Sequence, residues 1–157
     1  MKKSIFIFIT LLCVTLTLNA KNIDASMLKS QNGISFEHKI SAPFNGNAYF
    51  FFKNGKTKKI VPYHDGLIDG RLTEWRSNGS VKTVAYFKKG FKNGETRTWY
   101  DNGKLKAQSH FQNGHKEGTF KEWHKNGNLS AKALYTNDHI MGTPQFYNED
   151  GTIVASK

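Results

Sequence analysis

The sequence repeats itself with a period of 24 residues, and glycine marks this period most clearly. Two columns of glycine run the length of the repeats: Gly46, Gly70, Gly94, Gly118 and Gly142, and then Gly55, Gly79, Gly103, Gly127 and Gly151. A third column holds Gly66, Gly90 and Gly114 and continues with Asp138; only Gly33 of the fourteen glycines lies outside these columns. A fixed period of this length is the signature of a repeat protein, in which each unit packs against its neighbours.

Apolar residues follow the same period. One aromatic column contains Phe51, Trp75, Trp99, Trp123 and Tyr147, and a second contains Tyr63, Phe87, Phe111 and Tyr135. A mainly aliphatic column contains Thr57, Val81, Leu105, Leu129 and Ile153. We therefore divide the chain into four full units and a shorter fifth: 46–69, 70–93, 94–117, 118–141 and 142–157. Residues 21–45 form a lead-in or capping segment.

Each unit has the pattern of a β-hairpin. Residues 105–111 alternate between apolar and polar side chains, which is the strand pattern, and helical periodicity is absent after residue 20. Most tips end in Asn-Gly, the strongest short hairpin signal, and the fifth tip uses Asp150-Gly151. Because a single hairpin is marginally stable in water, neighbouring units must support each other. The sequence predicts an all-β fold: an elongated, single-layer antiparallel meander of hairpins.

The length of the tip decides which side chains share a face. A two-residue turn would place Trp99 opposite Lys106, whereas a three-residue tip with Gly103 in the left-handed region places it opposite Leu105. We favour the three-residue tip because it brings the apolar residues together in every unit. The neighbouring rings should then form a continuous aromatic stripe along the sheet.

This register predicts one apolar face and one basic face. We expect Lys82, Lys106 and Lys132 to lie opposite the tryptophans, on a solvated face that also carries Glu74, Thr98 and Glu122. A single-layer sheet leaves its apolar face uncovered. The cover is supplied by residues 21–43, where residues 34–40 have the pattern of a strand, by self-association through the apolar face, or by a partner.

The recurring motif Gly-x-x-x-x-Trp-x-x-Asn-Gly-x-Leu resembles MORN-type repeats, and most closely their bacterial variant. It is carried by Gly70, Trp75, Asn78, Gly79 and Val81 and by the matching residues of the next two units. The first unit departs from the motif with Phe51 and Thr57, and the last with Tyr147 and Asp150. The resemblance implies a hairpin-repeat protein used for binding or scaffolding, in a family whose bacterial members are often labelled antitoxin components.

The first twenty residues have the layout of a secretory signal peptide. Lys2 and Lys3 precede an apolar run that ends near Ala20, with Ala25 as a second cleavage point. The alternative is an uncleaved membrane anchor, although the run is short for a bilayer span. Cys13, the only cysteine, lies inside this segment, so a cleaved chain would contain no thiol and no disulfide. We therefore expect an exported protein, periplasmic or secreted.

The chain is strongly basic, with 23 lysines and arginines against 12 carboxylates. Outside the cytoplasm such a chain is attracted to anionic lipid, acidic polysaccharide or an acidic protein, and export disfavours nucleic acid. The alternative is that the lysines keep an exposed sheet soluble and protect its edges from pairing.

The sequence contains no pattern typical of an enzyme or a cofactor site. His115 and His139 share a column, but two strands separate them, which is too far for one zinc ion. Glu74 and Glu122 lie two repeats apart, roughly 19 Å, beyond the separation of paired catalytic carboxylates. We find no nucleophile elbow and no phosphate loop. We therefore assign no catalytic residue, no metal ligand and no cofactor.

Binding is better sought among side chains that vary between units. The variable column next to the tips holds Arg76, Tyr100, His124 and Asn148, and another holds Arg97 and Lys121; Lys106 and Lys132 complete the candidate set. Two functional hypotheses follow. The first is an exported, non-enzymatic binding or scaffold module for an acidic partner or surface of the bacterial cell envelope. The second is an antitoxin or immunity protein that neutralises a specific toxin by direct binding.

Overall fold

The computed structural model describes residues 21–154. The predicted signal peptide, which we expected to be helical, therefore lies outside the described residues, as does Cys13. The elements are β1 (Lys21–Asp24), a 3-10 turn (Ala25–Met27), β2 (Leu28–Gln31), β3 (Ile34–Glu37), β4 (Gly46–Phe51), β5 (Thr57–His64), β6 (Leu67–Ile68), β7 (Gly70–Trp75), β8 (Val81–Lys88), β9 (Phe91–Trp99), β10 (Leu105–Gln112), β11 (His115–Trp123), β12 (Leu129–Thr136) and β13 (His139–Phe146).

One large sheet contains nearly all of these strands. Its order is β1-β4-β5-β7-β8-β9-β10-β11-β12-β13, with β6 pairing to β5. From β4 onwards, with the short β6 set aside, each strand pairs antiparallel with the next one along the chain, which confirms the predicted all-β meander of hairpins. The parallel pairing of β1 with β4 was not predicted. In residues 21–154, no helix has the length and apolar character needed to cross a bilayer.

The predicted register at the hairpin tips is confirmed. Trp75 lies opposite Val81, Trp99 opposite Leu105 and Trp123 opposite Leu129. Gly103 has φ +82° and its backbone N–H donates to the carbonyl of Tyr100, so the tip is a three-residue turn closed by a left-handed glycine. The first and last units obey the same rule, with Phe51 opposite Thr57 and Tyr147 opposite Ile153.

A β-bulge follows the tip in each of the first four units and changes the face of the residues beyond it. Trp75 pairs with Val81, but Glu74 pairs with Thr83, so Lys82 is an extra residue in its strand. Lys106 has the same place in the next unit. Because side chains alternate along a strand, one extra residue moves all those beyond it to the opposite face.

The expected division into an apolar and a basic face is therefore wrong. The tryptophan face, as we call it, carries the column from Phe51 to Tyr147 with its aliphatic partners. The second aromatic column lies on the other side, the phenylalanine face, where Phe87 pairs with Gly70 and Phe111 with Gly94. Lys132 pairs with Lys121, two residues before Trp123, and so it lies on the tryptophan face.

Two-residue turns close the opposite end of each unit. Lys89 and Gly90 both have positive φ, 49° and 87°, and connect the paired residues Lys88 and Phe91. This is the type I′ geometry that matches the twist of a hairpin. The last of these turns has Asp138 in place of glycine, with φ +67°.

The tightest packing lies at the N-terminal end of the sheet. Ile23, Phe44, Ala48 and Val61 are all buried, and the ring of Phe44 meets that of Tyr63 edge-on at 5.8 Å. Strand β1 approaches β4 so closely that a Cβ at Gly46 would lie 2.0 Å from the carbonyl oxygen of Lys21. Residues 34–37 do form a strand, but they pair with β2 in a separate two-stranded sheet.

Candidate binding face

A row of polar side chains crosses the tryptophan face at right angles to the strands. Each member lies directly opposite the next: Arg97 pairs with Gln108, Gln108 with Lys121, Lys121 with Lys132, and Lys132 with Gln145. We call these residues the basic row: Arg97, Gln108, Lys121, Lys132 and Gln145. Directly opposed residues point to the same side of a sheet, so the row presents its charges and amides together.

The same row is mostly apolar in the first two units. Val84 pairs with Arg97 on one side and with Thr73 on the other, and the row continues through Ile60 to Tyr49. Both Thr73 and Val84 are buried, whereas Arg97 is exposed. The change from apolar to cationic side chains at Arg97 therefore marks one end of a distinct surface.

The centre of the basic row places two like charges side by side. Lys121 and Lys132 are directly opposed, and like charges in this position destabilise a sheet. The salt bridges of residues 21–154 include neither ammonium group: Lys82 pairs with Glu74, Lys88 with Asp69, and the others also lie elsewhere. Lys121 is also half-buried. The fold thus holds two cations together without a counter-charge of its own.

Glu95 fixes the first two members of the row. One of its carboxylate oxygens lies 2.8 Å from a guanidinium nitrogen of Arg97, and the other accepts a hydrogen bond from the side-chain amide of Gln108. At the far end, the hydroxyl of Tyr147 donates to the amide oxygen of Gln145 at 3.0 Å. The amide group of Gln145 is therefore oriented with its oxygen toward Tyr147.

Two adjoining hollows surround Trp99 beside the row. One is lined by Arg71, Ser80, Val81, Val84, Trp99 and Gly103, and the other by Arg71, Val84, Tyr86, Glu95, Arg97 and Trp99. Their shared lining makes them one groove between the second and third units. Arg71, Arg97 and Trp99 all line the second hollow, so two arginines and an indole belong to one groove. A planar donor pair beside an aromatic ring suits a ligand that carries both an anion and an apolar face.

The aromatic and aliphatic side chains form a second row parallel to the first. On the later strands it contains Trp99, Leu105, Trp123, Leu129 and Tyr147, all at least partly exposed. The ring pairs found in residues 21–154 are Phe44–Tyr63, Tyr49–Phe51 and Phe120–Tyr135, and none of them joins two tryptophans. The predicted column of rings thus lies on one face, but the predicted contact between its neighbouring rings is wrong. Trp75 and Trp99 instead border aliphatic side chains of the preceding unit, such as Ile60 and Val81.

The variable column that we predicted for binding ties neighbouring units together. The Arg76 guanidinium donates to the carbonyl of Trp99, the Tyr100 hydroxyl donates to that of Trp123 at 2.7 Å, and the His124 ring nitrogen lies 2.7 Å from that of Tyr147. Three different side chains thus contact the backbone carbonyl of the residue 23 positions later in the sequence. Their partners are structural, and binding of a ligand by this column stays a prediction.

The lysines of the phenylalanine face are used within the fold. The Lys59 ammonium lies 4.1 Å from the ring centre of Phe50, that of Lys92 lies 4.8 Å from Phe111, and that of Lys116 lies 4.4 Å from Tyr135. Such cation–π contacts let lysine stems cover rings that would otherwise meet water. The ammonium group of Lys106, the bulge residue of the third unit, lies 5.7 Å from the ring centre of Tyr100.

Titratable groups do not gather into a metal site in the part of the chain that the structure describes. His115 faces Asp138 instead, with 2.7 Å between the ring nitrogen Nδ1 and the carboxylate. The backbone N–H of Lys116 also donates to this carboxylate at 2.6 Å. These two hydrogen bonds, the backbone bond first, lower the pKa of Asp138 below its ordinary value. Partial burial raises the pKa of the Tyr100 phenol, and Glu122 raises it further.

Sequence reasoning missed four residues of this face, namely Arg71, Tyr86, Gln108 and Gln145. The signal was present, because the column of Arg97 and Lys121 also contains Thr73 and Gln145, and the column of Lys132 contains Val84 and Gln108. The column of Arg97 shares the face of the tryptophans by strand alternation, whereas the column of Lys132 reaches that face only because of the bulges. Arg97, Lys121 and Lys132 were named as binding candidates, but Lys132 was expected on the opposite face, so their placement on one surface was not predicted.

The meander of hairpins and the hydrogen bonds that repeat between its units define the chain as an all-β hairpin-repeat protein. Three of its segments, residues 44–65, 92–113 and 116–137, match the sequence profile of the MORN repeat variant, and these segments are MORN repeats of the variant type. MORN repeats commonly serve in binding. A search of curated proteins found no match to the chain. The boundaries that we assign to the lead-in segment and to the five units stay predictions.

Proposed function

We propose that this protein is an exported, non-enzymatic repeat module that binds an acidic partner or surface of the cell envelope through the basic row of the tryptophan face. Export rests on the layout of residues 1–20. The absence of catalysis rests on the sequence, which contains no nucleophile elbow or phosphate loop, and on the common use of MORN repeats in binding.

The opposed pair of Lys121 and Lys132 carries the proposal. Two ammonium groups on neighbouring strands repel each other, and the sheet alone gains nothing from this placement. An anion bound above them would remove the repulsion. Many other lysines already have a use in the fold, either over an aromatic ring or beside a carboxylate. The pair is thus the place where an anion would gain most.

Retention on an anionic surface tests the proposal. The purified protein should be retained on anionic vesicles or an acidic matrix and released by salt, because screening weakens attraction between exposed charges. Lys121→Glu with Lys132→Glu should weaken retention at least about tenfold, since each lysine near an anionic surface contributes on the order of 1 kcal/mol. Changing Lys106→Glu with Lys132→Glu should have a smaller effect, because Lys106 lies beside the row.

The matched control is Lys29→Glu with Lys53→Glu. These lysines are exposed, make no salt bridge in the described residues and lie away from the basic row, yet the variant has the same net charge. Retention should fall little in this variant. If both variants lose retention equally, net charge alone is responsible and the proposed site is wrong. If neither variant changes retention, the proposal is wrong as a whole.

A further inference from the structure

We infer that the acidic partner is a linear anionic polysaccharide whose chain lies across the strands, along the basic row and the aromatic row beside it. This inference rests on the proposed function and adds the class of ligand and its direction on the sheet. It depends on three observations: the linear arrangement of the polar groups, the parallel row of rings, and the arginine-bordered groove at Trp99.

The basic row has the shape of an extended polymer. Its five side chains come from five successive strands, β9 to β13, so the row runs over four strand spacings, roughly 19 Å. The row is one residue wide, and its donors recur at every strand. A linear sugar chain presents hydroxyl and carboxylate groups at a similar short repeat, and it could therefore be held at several successive units.

The second row supplies the apolar contact that sugar rings need. A pyranose ring has an apolar face of C–H groups and a rim of polar groups. Trp99 and Trp123 stand on alternate strands beside the basic row, with Leu105 between them. A ring placed over an indole would direct its rim toward Gln108 or Lys121. An acidic peptide would use the charges of this surface but would have less use for the regularly spaced indoles.

The groove at Trp99 provides a seat for one acidic sugar. Arg71 and Arg97 line this groove together with Trp99, and Tyr86 adds an exposed phenol ring. A guanidinium binds a carboxylate with two parallel hydrogen bonds, which a lysine cannot do. Glu95 already occupies one side of Arg97, whereas Arg71 belongs to no salt bridge of residues 21–154. Arg71 is thus the donor available to a uronic acid.

The test compares anionic polymers that differ in chemistry. The intact protein is titrated with polygalacturonate and heparin as sugar polymers, with polyglutamate as a charged polymer without rings, and with vesicles rich in phosphatidylglycerol. Tryptophan fluorescence reports contact with the indoles, and calorimetry gives the affinity. We expect at least one polysaccharide to bind about tenfold more tightly than polyglutamate at equal ionic strength, and to change the indole emission.

Two leucine substitutions separate a ring contact from charge. Trp123→Leu keeps an apolar side chain on the tryptophan face but removes the ring. It should weaken polysaccharide binding about tenfold, which is the order of the loss when a protein that binds single-stranded nucleic acid loses a stacked aromatic side chain. Phe111→Leu makes the same type of change on the phenylalanine face and should leave binding unchanged. Circular dichroism and the melting temperature confirm that both variants are folded.

The outcomes distinguish this inference from the proposed function. Polyglutamate or vesicles binding as tightly as the polysaccharides, with Trp123→Leu unaffected, overturns the inference and leaves the proposed function standing. Binding of neither polysaccharide also overturns the inference, whether or not the other probes bind. Binding of none of the four probes overturns both. Polysaccharide binding that falls in Trp123→Leu but not in Phe111→Leu supports both.

Discussion

At each hairpin tip one side chain organises the turn. The carboxamide oxygen of Asn102 accepts the backbone N–H of Lys104 at 3.0 Å, and Asn126 and Asp150 do the same for the residues two places on. This local bond holds the chain in the geometry that the left-handed glycine then completes. At Gly103 a Cβ would meet no atom within 4 Å, so the requirement for glycine there is one of backbone conformation and not of space. At Gly46 both apply, because its φ is +147° and β1 lies against it.

Asp138 should make stability depend on pH in the acidic range. Because its pKa in the folded protein is lowered, its contribution to stability is present above the ordinary value of 3.8 and is lost as the pH falls through the lowered value. We expect Asp138→Asn to flatten this part of the dependence, measured by urea unfolding at neutral pH and at several values below 3.8. Glu149→Gln is the control, since its carboxylate makes no hydrogen bond in the described residues. Parallel loss of stability in Asp138→Asn and the parent would contradict the prediction.

At the scale of elements, the units are joined at both ends by hydrogen bonds that repeat with the period. Asn102 donates through its carboxamide to the carbonyl of Lys125 at 2.9 Å, in addition to the bonds from the variable column. At the other end, Asp69 accepts the backbone N–H of Lys89, and Glu117 accepts that of Asn137. In a single-layer sheet with few buried side chains, these repeating hydrogen bonds hold neighbouring units in register, a role that a hydrophobic core has in other folds.

Removing one of these repeating hydrogen bonds measures its strength. Tyr100→Phe deletes only the hydroxyl that donates to the carbonyl of Trp123 and should lower the free energy of unfolding by about 1 kcal/mol. Tyr86→Phe is the matched control, because its hydroxyl makes no hydrogen bond in residues 21–154. Chemical denaturation gives both values. Equal stability of the two variants would show that the bond contributes nothing.

At the scale of the whole molecule, burial decreases from the first unit to the last. Of the seven buried apolar residues in the described range, four lie in or beside the first unit (Ile23, Phe44, Ala48 and Val61), two in the second (Val84 and Ala85) and one in the fourth (Ala133). Exposed large apolar side chains occur along the whole sheet, Phe51 among them, but they are most numerous in and around the last strand pair: Leu134 50%, Ile140 48%, Met141 51%, Phe146 52% and Ile153 66%. This exposed set is also where self-association, which the sequence suggested, would be sought.

Local stability should follow this gradient. Amides of β4 and β5 should exchange with solvent more slowly than those of β12 and β13, because opening the first unit exposes more apolar surface. Phe44→Ala should remove about 3–5 kcal/mol and abolish much of the difference. Hydrogen exchange followed by mass spectrometry resolves the strands. Uniform protection along the sheet would mean that the repeats open as one unit and would contradict the prediction.

The sequence by itself determined the period, the hairpins and the register at each tip. Asn102, Gly103 and the alternation that follows act over a few neighbouring residues, and short-range chemistry of this kind can be read along a chain. Arg97, Lys121 and Lys132 were also named as binding candidates from the sequence, although Lys132 was expected on the other face.

Only the tertiary structure decided which residues share a face. A bulge such as that at Lys82 exists only when two strands are paired, yet one extra residue reverses the side of every residue beyond it. It separated Phe87 from Trp75 and brought Lys132 to the side of the tryptophans. The basic row is therefore a product of pairing between strands, whereas the units that carry it are a product of local sequence.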